Sequence, residues 1–266
     1  MYTIEEFWKP LLNGCSEVLG ASPLAGWSTN VTPLPSFTEA PLNLSAQLSE
    51  GRQPENSQAI LVSAPGAVGK STLARQIASA TGAVYIDLAL ADPVGANTLS
   101  GGLAKSGLFS SWSENKTTVL IDGLDEARIK VTQEAFEAFL RDVASLCLNR
   151  TMPIMLFGRT GSIQDAWLVL EGEIQTSVLE IGYFNEERAV EFTYARMRAL
   201  KKDSSHAAVA KDAIELLLKK LRAQTKDDGD TFSGYAPVLQ AVAGRVAFED
   251  NPSALGFKPI DRVDLA

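Results

Sequence analysis

Residues 59–72 read AILVSAPGAVGKST, and this stretch decides the fold. The apolar run Ala59–Ala64 predicts a short buried strand, and the residues from about 70 to 80 predict a helix. The turn between them is rich in glycine, which lets the backbone approach a ligand without a side chain in the way. Backbone N–H groups, the positive end of the helix dipole and the Lys70 ammonium would all face a bound phosphate. The pattern is typical of a strand, a phosphate-binding loop and a helix.

The loop supplies the residues that we expect to contact the phosphates. They are Pro65, Gly66, Ala67, Val68, Gly69, Lys70, Ser71 and Thr72. Ser71 can also place its hydroxyl on Mg²⁺. The strict motif has glycine where this chain has Ala64, so we expect a modest strain there. The alternative interpretation is a glycine-rich turn that binds nothing.

A second apolar run, Thr117–Asp122, ends in an acidic string that continues to Glu126. Ligands of open α/β sheets bind at the carboxyl ends of the strands, where Asp122 would hold Mg²⁺ directly or through water. Asp125 or Glu126 would then polarise the attacking water. An acidic turn that caps a strand would also explain Asp125 and Glu126. It would not explain why an acidic strand end recurs about 50 residues after a phosphate loop.

Arg159 directly follows another predicted strand, Pro153–Gly158. If that strand lies between the first and the third, Arg159 faces the γ-phosphate and can sense or stabilise its charge. The alternative is a surface arginine that pairs with an acid. Asn115-Lys116 is not followed by the aspartate that guanine recognition needs, so ATP is the expected nucleotide.

The rest of the chain predicts three regions. Residues 1–57 read as a helix over 3–20 and a Pro- and Ser-rich extended segment. Residues 58–184 alternate strands with amphipathic helices, with further strands at Val84–Ala89 and Thr176–Phe184, which predicts an α/β domain with a parallel sheet. Residues 185–266 read as a small helical subdomain, with Asn185 as the first N-cap.

Composition excludes several classes of protein. The 266 residues are 45% hydrophobic and 21% charged, which excludes long disordered and fibrous chains. The net charge of −8 argues against nucleic acid as the main partner. No apolar run reaches the roughly 18 residues of a membrane span, and the acidic start lacks an export signal. We therefore expect a cytoplasmic protein without a membrane partner.

The phosphate loop, the string Leu120–Glu126 and the strand that ends before Arg159 together resemble a NACHT-type ATPase of the STAND class. These are additional-strand P-loop NTPases, the group that includes AAA+ proteins. The resemblance covers about residues 58–250 and implies a P-loop NTPase fold, with a five-stranded parallel sheet in the order 5-1-4-3-2 followed by a helical lid. The family places a lid proline against adenine, and Pro237 is similar in place and type. Pro237 can also be read as the first-turn proline of a helix.

The resemblance implies an ATP-binding and ATP-hydrolysing regulatory domain that acts with Mg²⁺. The nucleotide state would control self-association, and bacterial relatives of this class commonly act in antiviral defence. Two other functions stay open, a P-loop kinase for a small molecule and a catalytically inactive nucleotide-binding scaffold. The products separate the three functions, because they are free phosphate, a phosphorylated metabolite or none.

Overall fold

The computed structural model describes residues 2–15, 24–29, 31–34, 37–49, 52–200, 204–224 and 232–255. The chain divides into two compact units. The first comprises Met1–Pro33 and Leu42–Ile181, and the second comprises Leu34–Pro41 and Gly182–Ala266. Residues 1–57 were predicted to be a separate region, whereas most of that stretch groups with the sheet and residues 34–41 group with the helical unit.

The first unit is built on a mixed sheet of seven strands, in the order β1-β4-β5-β6-β3-β7-β2. The strands are β1 Trp27–Ser28, β2 Leu42–Leu44, β3 Ala59–Ser63, β4 Val84–Asp87, β5 Val119–Asp122, β6 Ile154–Gly158 and β7 Thr176–Ile181. The strands from β4 to β7 in this order pair in parallel. The α/β class is therefore confirmed. The predicted strands 1 to 5 correspond to β3, β4, β5, β6 and β7. Read from β7 to β4, they follow the predicted order 5-1-4-3-2.

The predicted number of five strands is wrong, because both edges of the sheet carry a short antiparallel strand. β1 pairs with β4 at one edge, and β2 pairs with β7 at the other. Each is only two or three residues long and lies in the Pro-rich segment that was predicted to be extended. Such short strands show no alternation of their own, because their conformation depends on hydrogen bonds to the sheet edge.

Helices cover both faces of the sheet. Those of the first unit are α1 Lys9–Leu11, α2 Lys70–Thr81, α3 Thr98–Lys105, α4 Phe109–Ser113, α5 Leu124–Lys130, α6 Gln133–Cys147 and α7 Thr160–Leu170. Leu61, Ile121 and Leu156 pack in one core with residues of α3, α6 and α7. Side chains alternate along a strand, so Ile60 and Leu120 are buried on the opposite face. On that face α2 packs against β4, β5 and β6.

The N-terminal helix is shorter than the predicted span of 3–20. A π-helical turn, Ile4–Trp8, leads into α1, which ends at Leu11. Pro10 removes a backbone N–H donor. Gly14 has a left-handed φ of 100°, so the helix cannot continue through Gly14. Residues 16–20 of the predicted helix lie outside the described residues. Trp8 is fully buried, and its turn packs on α2.

The second unit is helical, as predicted. Its helices are α8 Glu186–Leu200, α9 Ser204–Gln224, α10 Ala236–Phe248 and α11 Pro252–Leu255. Asn185 caps α8, because its Oδ1 accepts a hydrogen bond from the Arg188 N–H at 2.9 Å. Met197, Ile214 and Leu239 belong to its apolar core. In neither unit does a described helix have the length and apolar character that crossing a membrane requires.

Two adjacent glycines of α3 offer a matched test of the edge strand. A Cβ at Gly102 would lie 2.4 Å from the Trp27 ring of β1, whereas a Cβ at Gly101 would meet nothing within 4 Å. We expect Gly101→Ala to raise the free energy of unfolding by about 0.5–1 kcal/mol through helix propensity. Gly102→Ala should lower it by about 1–3 kcal/mol through overpacking. Urea unfolding measures both values, and equal stabilisation by the two variants would contradict the packing of β1 on α3.

Candidate functional site

The loop between β3 and α2 turns through two residues with positive φ. Ala67 has φ 61°, and Gly69, the N-cap of α2, has φ 96°. A Cβ at Gly69 would meet nothing within 4 Å, so the left-handed backbone rather than crowding favours glycine there. Gly69 has no side chain to cap the first N–H groups of α2, which can therefore receive an anion. Lys70 crosses the loop, because its Nζ donates a hydrogen bond to the Pro65 carbonyl at 3.1 Å.

Ala64 fits the loop without strain. It is buried, its φ is not positive, and its N–H donates a hydrogen bond to the Gly158 carbonyl at 3.3 Å. Glycine's conformational freedom is not needed at this position. The departure from the strict motif therefore needs no strained backbone at Ala64.

Charges from three neighbouring segments surround Lys70. Burial lowers the pKa of its ammonium, and Arg159 lowers it further. Asp125, Asp122 and Glu126 raise that pKa, with Asp125 contributing most among these three. The structure thus brings together the loop lysine, the acidic string after β5 and the arginine after β6.

Asp122 ends β5 and is 3% exposed. Its Oδ2 accepts a hydrogen bond from the Tyr85 hydroxyl at 2.7 Å. Burial, and then the charge of Asp122, raise the pKa of Tyr85, so the phenol stays protonated and donates. Gly123 follows Asp122 with φ 80°, and a Cβ there would lie 3.2 Å from the Ala89 nitrogen. The left-handed φ and the close approach of the Ala89 nitrogen both explain why glycine follows Asp122.

Arg159 lies beside the loop between β3 and α2 and is also paired with an acid. Its strand β6 lies between β3 and β5, which is the arrangement that sequence analysis required. The Arg159 Nε is 2.9 Å from Asp125 Oδ2, and its backbone N–H donates a hydrogen bond to Asp125 Oδ1 at 3.2 Å. The guanidinium carbon is 4.0 Å from the position of a Cβ on Gly66. The alternative interpretation, a surface arginine that pairs with an acid, is therefore confirmed, and the contact with the γ-phosphate stays a prediction.

Asp125 and Glu126 are not equivalent. Both carboxylate oxygens of Asp125 bind Arg159, and the Asp125 side chain is 17% exposed. Within the described part of the chain, no residue forms a hydrogen bond or ion pair with the Glu126 carboxylate. Asp125 is therefore placed to hold the arginine, whereas Glu126 can accept a proton from a bound water.

Ser71 and Asp122 are the predicted magnesium ligands. Ser71 is exposed in the first turn of α2. In the described ranges there is no group of three or more His, Cys, Asp or Glu that could hold a metal alone. Mg²⁺ keeps several waters and often takes one or two protein oxygens together with phosphate oxygens. One hydroxyl and one carboxylate fit a metal ion that enters with a nucleotide.

Pro237 belongs to the second unit, whereas the other predicted site residues belong to the first. It lies in the first turn of α10, where a backbone N–H would have no acceptor within the helix. Its interpretation as a first-turn proline is therefore confirmed. A Cβ at Gly234 would lie 2.3 Å from the Phe184 carbonyl oxygen, and the Phe184 N–H donates to the Gly234 carbonyl at 3.0 Å. These contacts anchor the segment before α10. The adenine contact of Pro237 stays a prediction.

Three contacts near the site were not predicted from the sequence. Tyr85 binds Asp122, and the Arg75 guanidinium lies 5.4 Å from the centre of the Tyr85 ring. The Ser63 hydroxyl, at the end of β3, donates to the Thr160 hydroxyl at 3.3 Å. A tyrosine inside the buried run of β4 was a signal for the first of these, because a buried phenol needs a hydrogen-bond partner.

No protein-family model matches this chain, and no curated protein matches it either. The resemblance to NACHT-type ATPases therefore stays a prediction.

Proposed function

We propose that this chain binds ATP with Mg²⁺ at the carboxyl ends of β3, β5 and β6, and hydrolyses it to ADP and phosphate. The observation that carries the proposal is the convergence of two cations on one loop. Lys70 crosses the loop to Pro65, and the Arg159 guanidinium lies beside Gly66. Loop N–H groups with a lysine and an arginine beside them are the arrangement that a triphosphate needs.

The charges of the site favour ATP together with its metal ion. Arg159 offsets Asp125, which leaves Lys70 facing the carboxylates of Asp122 and Glu126. Free ATP adds further negative charge and would be repelled by these two acids. Mg²⁺ bridges phosphate oxygens and neutralises that charge when bound, and Ser71 and Asp122 are the residues that would hold it.

We assign to Glu126 the role of general base in hydrolysis, and to Asp125 the role of holding Arg159. The water oxygen forms a bond to the γ-phosphorus, the bond from that phosphorus to the β–γ bridging oxygen breaks, and Glu126 accepts the water proton. When ATP binds, Arg159 leaves Asp125, contacts the γ-phosphate and stabilises the charge of that phosphate. The resemblance extends this proposal to a NACHT-type regulatory domain whose nucleotide state controls self-association, with antiviral defence as the expected setting.

Lys70→Ala should weaken ATP binding by about tenfold or more, because charge-assisted hydrogen bonds contribute about 1.5–3 kcal/mol each. Calorimetric titration with Mg–ATP measures the affinity. Lys105→Ala, which removes an exposed lysine at the end of α3, is the control and should bind like the unmodified chain. Unchanged affinity in Lys70→Ala would show that the loop does not bind phosphate.

Glu126→Gln should reduce phosphate release by about 10²-fold, the usual effect of losing a general base, while ATP affinity is retained. Asp125→Asn should reduce the rate less, because the single amide oxygen still accepts one of the two hydrogen bonds that Arg159 donates. Glu134→Gln changes an exposed acid in the first turn of α6 and serves as the control. Release of phosphate at the unmodified rate from Glu126→Gln would place the base elsewhere. Transfer of phosphate to a metabolite in place of water would favour the kinase.

Arg159→Ala should narrow the difference between ATP and ADP affinity and leave ADP binding nearly intact. The reason is that only ATP offers the γ-phosphate, and a residue that contacts this group alone distinguishes the two nucleotides. Competition titrations with both nucleotides measure the difference. Equal loss of ATP and ADP binding would show that Arg159 supports the fold of the loop and does not sense the γ-phosphate.

A further inference from the structure

Tyr85 holds the carboxylate that the proposed site assigns to the metal ion. β4 and β5 are parallel neighbours, with Tyr85 opposite Leu120 and Asp87 opposite Asp122. Residues two apart on a strand share a face, so Tyr85 and Asp122 point to the same side of the sheet. The Tyr85 hydroxyl reaches forward along the sheet to Asp122 Oδ2 at 2.7 Å, and each residue is only 3% exposed.

The bond determines which oxygen of Asp122 can serve a ligand. A carboxylate this deeply buried loses solvation, and a charge-assisted O–H···O⁻ bond restores part of it. Tyr85 engages Oδ2 and fixes the plane of the carboxylate, which leaves Oδ1 for a metal ion or its water. Without the hydroxyl, the carboxylate could rotate about its terminal torsion, which is soft.

Arg75 connects Tyr85 and Asp122 to the helix that follows the loop. It lies on α2, which begins at Lys70, and its guanidinium carbon is 5.4 Å from the centre of the Tyr85 ring. A cation at this distance over an aromatic face is attracted to it. Tyr85 therefore lies between the helix that carries the loop lysine and the carboxylate at the end of β5.

We propose that Tyr85 is a positioning residue that orients Asp122 and thereby sets the affinity of the site for Mg²⁺. The inference rests on the proposed function, since it needs Mg–ATP to bind at this edge of the sheet. Tyr85 acts through Asp122, which is the residue that would contact the metal ion.

The test is the Mg²⁺ concentration that gives half-maximal ATP binding, measured by titration of the full chain at a fixed ATP concentration. Tyr85→Phe should raise that concentration by about tenfold, because it removes one charge-assisted hydrogen bond and little else. ATP binding measured in EDTA should not change, since the loop and Lys70 are untouched. Tyr2→Phe makes the same chemical change in the same unit, where the Tyr2 ring packs edge-on against Phe7 at 4.9 Å, and should leave the Mg²⁺ dependence unchanged.

A second variant separates an effect through Asp122 from an effect on the fold. In an Asp122→Ala background, Tyr85→Phe should cause no further shift in the Mg²⁺ dependence, since the acceptor is already gone. A shift that persists in that background would overturn the inference, and so would an unshifted Mg²⁺ dependence in Tyr85→Phe alone. If the unmodified chain bound ATP in neither condition, the proposed function would fail as well, so the two failures are distinguishable.

Discussion

Parallel pairing of β3, β6 and β5 places three strand ends side by side at one edge of the sheet. Ser63 lies opposite Gly158, and Ile121 lies opposite Leu156. The segments that leave these strands therefore emerge next to one another. One begins the loop with its lysine, one carries the acids, and one begins with Arg159. Groups far apart in the chain become neighbours through this register, and the pairing of Asp125 with Arg159 depends on it.

The ion pair between Asp125 and Arg159 gives this edge of the sheet a resting arrangement. A γ-phosphate would have to compete with Asp125 for the guanidinium, so the preference for ATP over ADP would equal the difference between two ionic contacts. A ligand shifts an equilibrium only by its differential affinity for the two states. In the proposed regulatory role, the movement of Arg159 from an acid to a phosphate would supply that difference.

Local motifs explain why much of the site could be predicted from the sequence. The glycines at the starts of α2 and α5 have left-handed backbones, a conformation that glycine adopts more easily than other residues. The strand ends follow from short apolar runs. The edge strands β1 and β2 could not be predicted, because their conformation comes from pairing with the sheet. The separate roles of Asp125 and Glu126 also depend on tertiary structure, since Arg159 is 34 residues from Asp125 in the chain.

Calorimetric titration of the unmodified chain with ATP, with and without Mg²⁺, shows directly whether this edge of the sheet binds a nucleotide. We expect one binding site per chain and binding that weakens strongly when Mg²⁺ is removed, because the carboxylates then face an unneutralised triphosphate. Absence of ATP binding at millimolar concentrations in the presence of Mg²⁺ would rule out the proposed nucleotide site. The loop would then be a glycine-rich turn, and the cluster of Lys70, Asp125 and Arg159 would serve the fold alone.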